Sequence, residues 1–238
     1  MDPAGKRAVV LGGTSGIGLA AARQLHDAGA EVIALSRSAS NAASAREVLG
    51  QEADIRQLDV LDRDAMAATF AELAPFDILV NAATGGGRAR GPFLEMDLDG
   101  YQGSFAKLWG YANSVRLGTP HLSQEGCIVL VSGFPARKCP PGYAAISSVG
   151  GAVEAFCRAV AIEIMPRRIN LVSPGVIDTP MFAAQGKERE QLLEQATQNH
   201  LIKRAGTVDE VAQGILFVIR NDFVTGTTVD VDGGALLP

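Results

Sequence analysis

The chain has 238 residues, is 47% hydrophobic, 20% charged and 5% aromatic, and carries a formal net charge of -5. That apolar fraction excludes a disordered chain, and the absence of a glycine period excludes collagen, despite 27 Gly. The acidic balance gives no clustered Lys and Arg to neutralise phosphates, so a nucleic-acid partner is not expected.

From the N-terminus, short runs rich in Val and Ile alternate with longer segments of helical period. Residues 7–11, 31–35, 54–58, 76–80, 127–131, 168–172 and 227–231 read as strands. Most are too continuously apolar for a sheet with one wet face, which is how buried parallel strands look. Helices are expected near 16–28, 62–74, 97–117 and 143–165, with Asp62 capping the second and Gly29 ending the first. This alternation, without linker or repeat, predicts one doubly wound α/β domain over 1–238 with helices on both faces of a parallel sheet of about seven strands. Residues 181–206, charged and lacking apolar order, read as a substrate lid. No stretch reaches about 18 apolar residues and the start is a poor signal peptide. With Cys127, Cys139 and Cys157 in no C-x-x-C pair, a cytoplasmic protein with reduced thiols and no membrane association is expected.

Directly after the first strand comes Gly12-Gly13-Thr14-Ser15-Gly16-Ile17-Gly18, opening the first helix. Gly12 suits the tight turn, Gly16 a close backbone approach, and Gly18 close packing of helix on strand. The helix N-terminus then offers free N–H groups and a positive dipole end to a pyrophosphate. The second strand ends in Ser36-Arg37, where an acidic residue would hold the ribose diol of NAD. A guanidinium pairs with a 2′-phosphate and a hydroxyl fits beside it, so NADP(H) is favoured over NAD(H).

These motifs resemble those of the short-chain dehydrogenase/reductase family over about residues 6 to 235. The glycine loop is similar to T-G-x-x-x-G-x-G, with Leu11 for Thr. Asp59-Val60 resembles the D-V pair beside the adenine, and Asn81-Ala82 the start of N-N-A. The segment Ser173-Pro174-Gly175-Val176-Ile177-Asp178-Thr179-Pro180 resembles the stretch that closes over nicotinamide, and Val229-Asp230-Val231-Asp232-Gly233-Gly234 the V-D-G-G ending. The resemblance implies a Rossmann-type fold. It also implies a cofactor site built from Gly12, Thr14, Ser15, Gly16, Ile17, Gly18, Ser36, Arg37, Asp59, Val60, Asn81, Ala82, Tyr143, Pro174, Gly175, Ile177 and Thr179. A homotetramer or homodimer through the helices near 97–117 and 143–165 is implied too.

The family's catalytic pattern is altered. Tyr143 stands at the family's Tyr, but Ser147 holds the Lys position of Y-x-x-x-K, Gly133 the usual Ser position, and Lys107 the Asn position. A Tyr without a nearby cation has a pKa of about 10, and an opposite charge within about 4–6 Å shifts such a group by one to three units. Lys107 is therefore read as a transposed Lys acting on Tyr143, with Ser147 leaving room for it. Ser132 is read as the substrate's hydroxyl donor, which requires the strand end to bulge because adjacent strand residues face opposite ways. Trp109 is expected in the helix interface, and His26, His121 and His200 at the surface or helix ends, with no metal-ligand spacing. The basic loop Gly85–Gly91 either meets an anionic group or lies solvated, the second being preferred.

The sequence thus points to an NADP(H)-dependent reductase of a small-molecule carbonyl, or dehydrogenase of the matching alcohol. A redox-neutral cyclase, dehydratase or isomerase on the same scaffold, or a non-enzymatic NADP-binding protein, is the alternative.

Overall fold

A computed structural model describes residues 1–181 and 184–237; Phe182 and Ala183, within the expected lid, and Pro238 lie outside the described residues. Seven strands form one sheet: β1 (Arg7–Leu11), β2 (Glu31–Ser36), β3 (Asp54–Gln57), β4 (Phe76–Asn81), β5 (Leu122–Val131), β6 (Arg168–Pro174) and β7 (Thr228–Val231). Their order is β3-β2-β1-β4-β5-β6-β7, and every pairing is parallel. Along β1 the side chains alternate. Ala8 and Val10 join a core shared with the helices on one face, while Val9 and Leu11 join a core on the other. This two-sided burial is why the strands lack polar alternation.

Helices α1 (Gly16–Asp27), α2 (Ala42–Leu49) and α8 (Val208–Arg220) contribute to the first core; α3 (Arg63–Leu73), α5 (Ala106–Gly118) and α6 (Ala144–Glu163) to the second. Asp62 caps α3 by accepting from the Ala65 N–H at 3.0 Å, and Gly29, at φ 85°, donates to the His26 carbonyl as α1 ends. Where one helix was expected over 97–117 there are two, α4 (Leu98–Ser104) and α5. The chain tightens at Phe105, whose N–H bonds Gln102 and whose ψ is -7°, while Ser104 turns its hydroxyl back onto the Gly100 carbonyl. The expected lid contains a helix, α7 (Gly186–Thr197). Helices α2 and α8 went unread in the sequence, although α8 opens with a capping box in which Thr207 and Glu210 bond each other's backbone N–H.

The helix α6 is long and apolar enough by length and composition to cross a membrane, which the run-length reading overlooked. Here it packs on β6, and its buried Glu154 pairs with Arg137 at 2.9 Å. Core packing accounts for its apolarity. At the N-terminal end of β6, buried Arg168 donates to the carbonyls of Val218, Ile219, Asn221 and Val224 and pairs with Asp222, tying off the end of α8.

Candidate active site

The strand order reverses direction between β1 and β4, so their C-terminal ends flank a crevice, the usual ligand position in open α/β sheets. The glycine turn lies here. Gly12 has φ 76°, and a Cβ on it would meet the Ala83 nitrogen at 2.8 Å; a Cβ on Gly18 would meet the Gly12 carbonyl oxygen at 2.1 Å. Only glycine fits either place. The turn delivers Ser15 to the N-cap of α1, where no side chain caps the helix and no acidic residue stands in the first turn. The first N–H groups of α1 thus remain available to an anion. Thr14 is 3% exposed and its hydroxyl has no partner among the described residues. Ile17, in the first turn, packs against the core.

Around this turn stand the other expected cofactor residues. Ser36 ends β2 and accepts from the Ser38 N–H, and Arg37 reaches the Gly85 carbonyl at 3.4 Å. Asp59 accepts from the Leu61 N–H, while Val60 is buried against Gly110 of α5. The Ala82 N–H bonds Leu11, and the fully buried Asn81 accepts from the Ala83 N–H at 3.0 Å and donates to the Ser114 hydroxyl of α5 at 2.8 Å. Beyond β6, Pro174-Gly175 runs against β7, Ile177 bridges to Gly206, and Thr179 accepts from Arg189 of α7 at 2.8 Å. Arg189 also binds Asp178, so α7 is fastened to the Pro174–Pro180 stretch. The uncapped helix start, the glycine-only turn and the orphaned Thr14 hydroxyl fit a dinucleotide, and the Arg37 guanidinium, in no ion pair among the described residues, fits an added phosphate.

Beside the crevice a cavity of about 30 Å³ is lined by Lys107 of α5, Ser132 and Gly133 after β5, Thr84 and Arg88 after β4, Ser104 and Pro135, and Ile146, Val149 and Gly150 of α6. That is room for about one water molecule. Lys107 and Ser132 therefore meet. No bulge was needed: the one register shift between β4 and β5 lies at Phe76–Ile78, far from Ser132, whose backbone continues the ladder by bonding Val172. Gly133 faces the same cavity, because the chain leaves the strand here and strict alternation ends.

The Lys107 ammonium lies 5.5 Å from the Tyr111 ring centroid. Burial, aided by the positive charge of Arg88, lowers its pKa to about 7. Tyr111 is itself buried, donates to the Val131 carbonyl, and has its pKa raised by that burial. Tyr143 sits at the N-cap of α6 rather than in the cavity lining, with the Arg90 guanidinium 4.9 Å above its ring. Burial and Arg90 lower the Arg88 pKa, while Tyr143 and Tyr111 act the other way. Ser147 is buried on α6 with its hydroxyl unpartnered among the described residues. Arg88 was legible only as one charge of a Gly-rich basic loop.

Trp109 is 64% exposed on the single chain, on a face of α5 turned away from the sheet. His200 follows α7 but is 8% exposed, edge-on to Phe134, because the segment after α7 folds back toward the C-terminal tail.

Residues 12–235 match the family model described as enoyl-(acyl carrier protein) reductase. L-xylulose reductase of Bos taurus is 32% identical over 242 residues, covering 98% of this chain and 97% of that protein. Carbonyl reductase (NADPH) 2 of Sus scrofa is 29% identical, covering 99% and 98%. A solved small-chain dehydrogenase in complex with NADPH shares 29% identity with a TM-score of 0.84, covering 98% of this chain and 100% of that one. With the glycine turn, the sheet order and the family match agreeing over nearly the whole length, the chain belongs to the short-chain dehydrogenase/reductase family of oxidoreductases.

Proposed function

We propose that the protein is an NADP(H)-dependent oxidoreductase that reduces a small-molecule carbonyl or oxidises the matching alcohol. The observation that carries this reading is the glycine turn feeding an uncapped α1, with the Arg37 guanidinium beside it at the end of β2. Arg37 and Ser36 would hold the 2′-phosphate, the start of α1 the pyrophosphate, Asp59 and Val60 the adenine side, and Asn81, Ala82 and Pro174–Thr179 the nicotinamide side. Two relatives named as reductases and a neighbour that binds NADPH support it. The nicotinamide, when bound, supplies or takes up a hydride.

The chain's own residues handle the oxygen and its proton. Tyr143 donates a proton to the carbonyl oxygen. The Ser132 hydroxyl donates to the same oxygen from the cavity wall. Lys107 adds positive charge there when protonated and, with its pKa near 7, exchanges protons easily at neutral pH. Residues 181–206, anchored through Arg189, act as the lid. The protein assembles as a homotetramer or homodimer through α4, α5 and α6, where Trp109 and Ile162 stand exposed on the single chain, and works in the cytoplasm.

A second reading rests on Ser147. With no Lys on that turn of α6, the same groups serve a redox-neutral proton transfer. Single-turnover oxidation of bound NADPH against ketones, enones and quinones decides between them: cofactor oxidation supports the oxidoreductase, while tight NADPH binding without any oxidation overturns it. Arg37→Gln is expected to weaken NADPH binding by about tenfold and leave NADH binding nearly unchanged.

A further inference from the structure

The cations at the catalytic mouth have an unusual set of neighbours. Arg88 and Lys107 line the same cavity, and Arg90 stands on the Tyr143 ring. Among the described residues none of the three forms an ion pair with a carboxylate, although the chain holds 26 Asp and Glu; Arg88 and Arg90 stand exposed and Lys107 half-buried. The sequence has no acidic residue between Asp77 and Glu95, so the loop that carries Arg88 and Arg90 brings no counter-charge of its own. Instead the positive charges act on one another in sequence: burial and Arg88 lower the Lys107 pKa, and burial and Arg90 lower that of Arg88. Like charges gathered at one cleft without a carboxylate partner are a cost to the free protein that a bound anion repays.

We propose that Arg88 and Lys107, with the hydroxyl of Thr84, form an anion subsite beside Tyr143, and that the preferred substrate is a carbonyl compound bearing a carboxylate, a keto acid. The dinucleotide's own phosphates have other hosts. The glycine turn and Arg37 lie toward β1 and β2, whereas this cavity lies between the β4 and β5 ends and the helices α5 and α6. Its volume of about 30 Å³ admits one carboxylate oxygen in the place of a water and leaves the rest of the substrate outside, toward Tyr143 and the lid. A planar guanidinium is the side chain that receives a carboxylate on two oxygens at once, and the ammonium adds a point charge behind it.

The inference rests on the oxidoreductase reading, and the experiment separates the two. The NADPH-loaded enzyme is given matched pairs, acetoacetate against methyl acetoacetate and phenylglyoxylate against its methyl ester. The kcat/KM for the acid is expected to exceed that for the ester by about tenfold or more. Arg88→Gln is expected to collapse that ratio by a similar factor, and Arg88→Lys to restore part of it. Independently of turnover, benzoate is titrated against benzamide into the NADPH-loaded protein, read by NADPH fluorescence; benzoate is expected to bind, and to bind weakly or not at all to the Arg88→Gln variant. Esters turned over as well as acids, or benzoate binding no better than benzamide, overturns the anion subsite. Benzoate binding without cofactor oxidation by any carbonyl leaves the subsite supported and overturns the oxidoreductase reading.

Discussion

Two buried or half-buried cations sit at opposite edges of the same sheet and are treated in opposite ways. At the N-terminal edge of β6, the Arg168 guanidinium is surrounded by four carbonyls and the Asp222 carboxylate. At the C-terminal edge, Lys107 has the face of Tyr111 and a second cation, Arg88, and no carboxylate partner among the described residues. One edge satisfies its charge and is built to hold α8 in place. The other keeps its charge unsatisfied, which is tolerable only where something else is meant to arrive.

Breaking the satisfied edge has the largest expected effect on stability. Arg168→Met strips the donor from those carbonyls and should cost about 3–5 kcal/mol, seen as a midpoint lowered by roughly 10 °C, with turnover per folded molecule unchanged. Tyr143→Phe sharpens the contrast from the other side: turnover should fall by about 10²–10⁴-fold while the melting temperature and NADPH affinity stay put. Lys107→Met should stabilise the fold by about 1–3 kcal/mol, because an apolar chain replaces an ammonium held out of water. The same site sets a pH signature. The native Lys107 pKa is about 7 and the unperturbed value 10.5, so between those values the unfolded chain binds the extra proton. Wild-type stability should therefore rise from pH 7 toward 10, with that contribution lost as pH falls to 7, and the Met variant should show a flatter profile in denaturant titrations. The smallest effect belongs to Gly133→Ser. The backbone there is extended, at φ 169°, and a Cβ would meet Pro135 at 3.4 Å, an ordinary contact. Stability should change by less than about 0.5 kcal/mol, and kcat with a ketone should rise as a second hydroxyl joins Ser132.

The sheet and the glycine turn were legible because their chemistry is local. A strand buried on both faces must be apolar throughout, and a turn whose Cβ would strike backbone must be glycine. Helix α8 was equally legible in principle: Thr207 and Glu210 mark its start, and Val211, Ala212, Ile215, Leu216, Val218 and Ile219 form its buried stripe. Helix α2 was not. It has eight residues, only two of them buried, and so hardly any apolar period to read. The break at Phe105 depends on a Ser104 hydroxyl placed between Gly100 and the Ala89 N–H, a contact made across the fold. Position 107 could be singled out from the sequence, but its neighbours could not. Arg88 reaches the cavity from a loop of three glycines, which encode no direction, and so a cation of the cavity was hidden in a stretch that reads as solvated.

Asn81 gives the two halves of the cleft a common hinge pin. One end of its amide receives the N–H of Ala83, the residue against which the Gly12 turn is packed; the other end holds Ser114 on the helix that carries Lys107. A single side chain thus fixes the distance between the dinucleotide bay and the anion bay. Anyone reshaping this enzyme for a new substrate will find that the two bays cannot be tuned one at a time while that amide is in place.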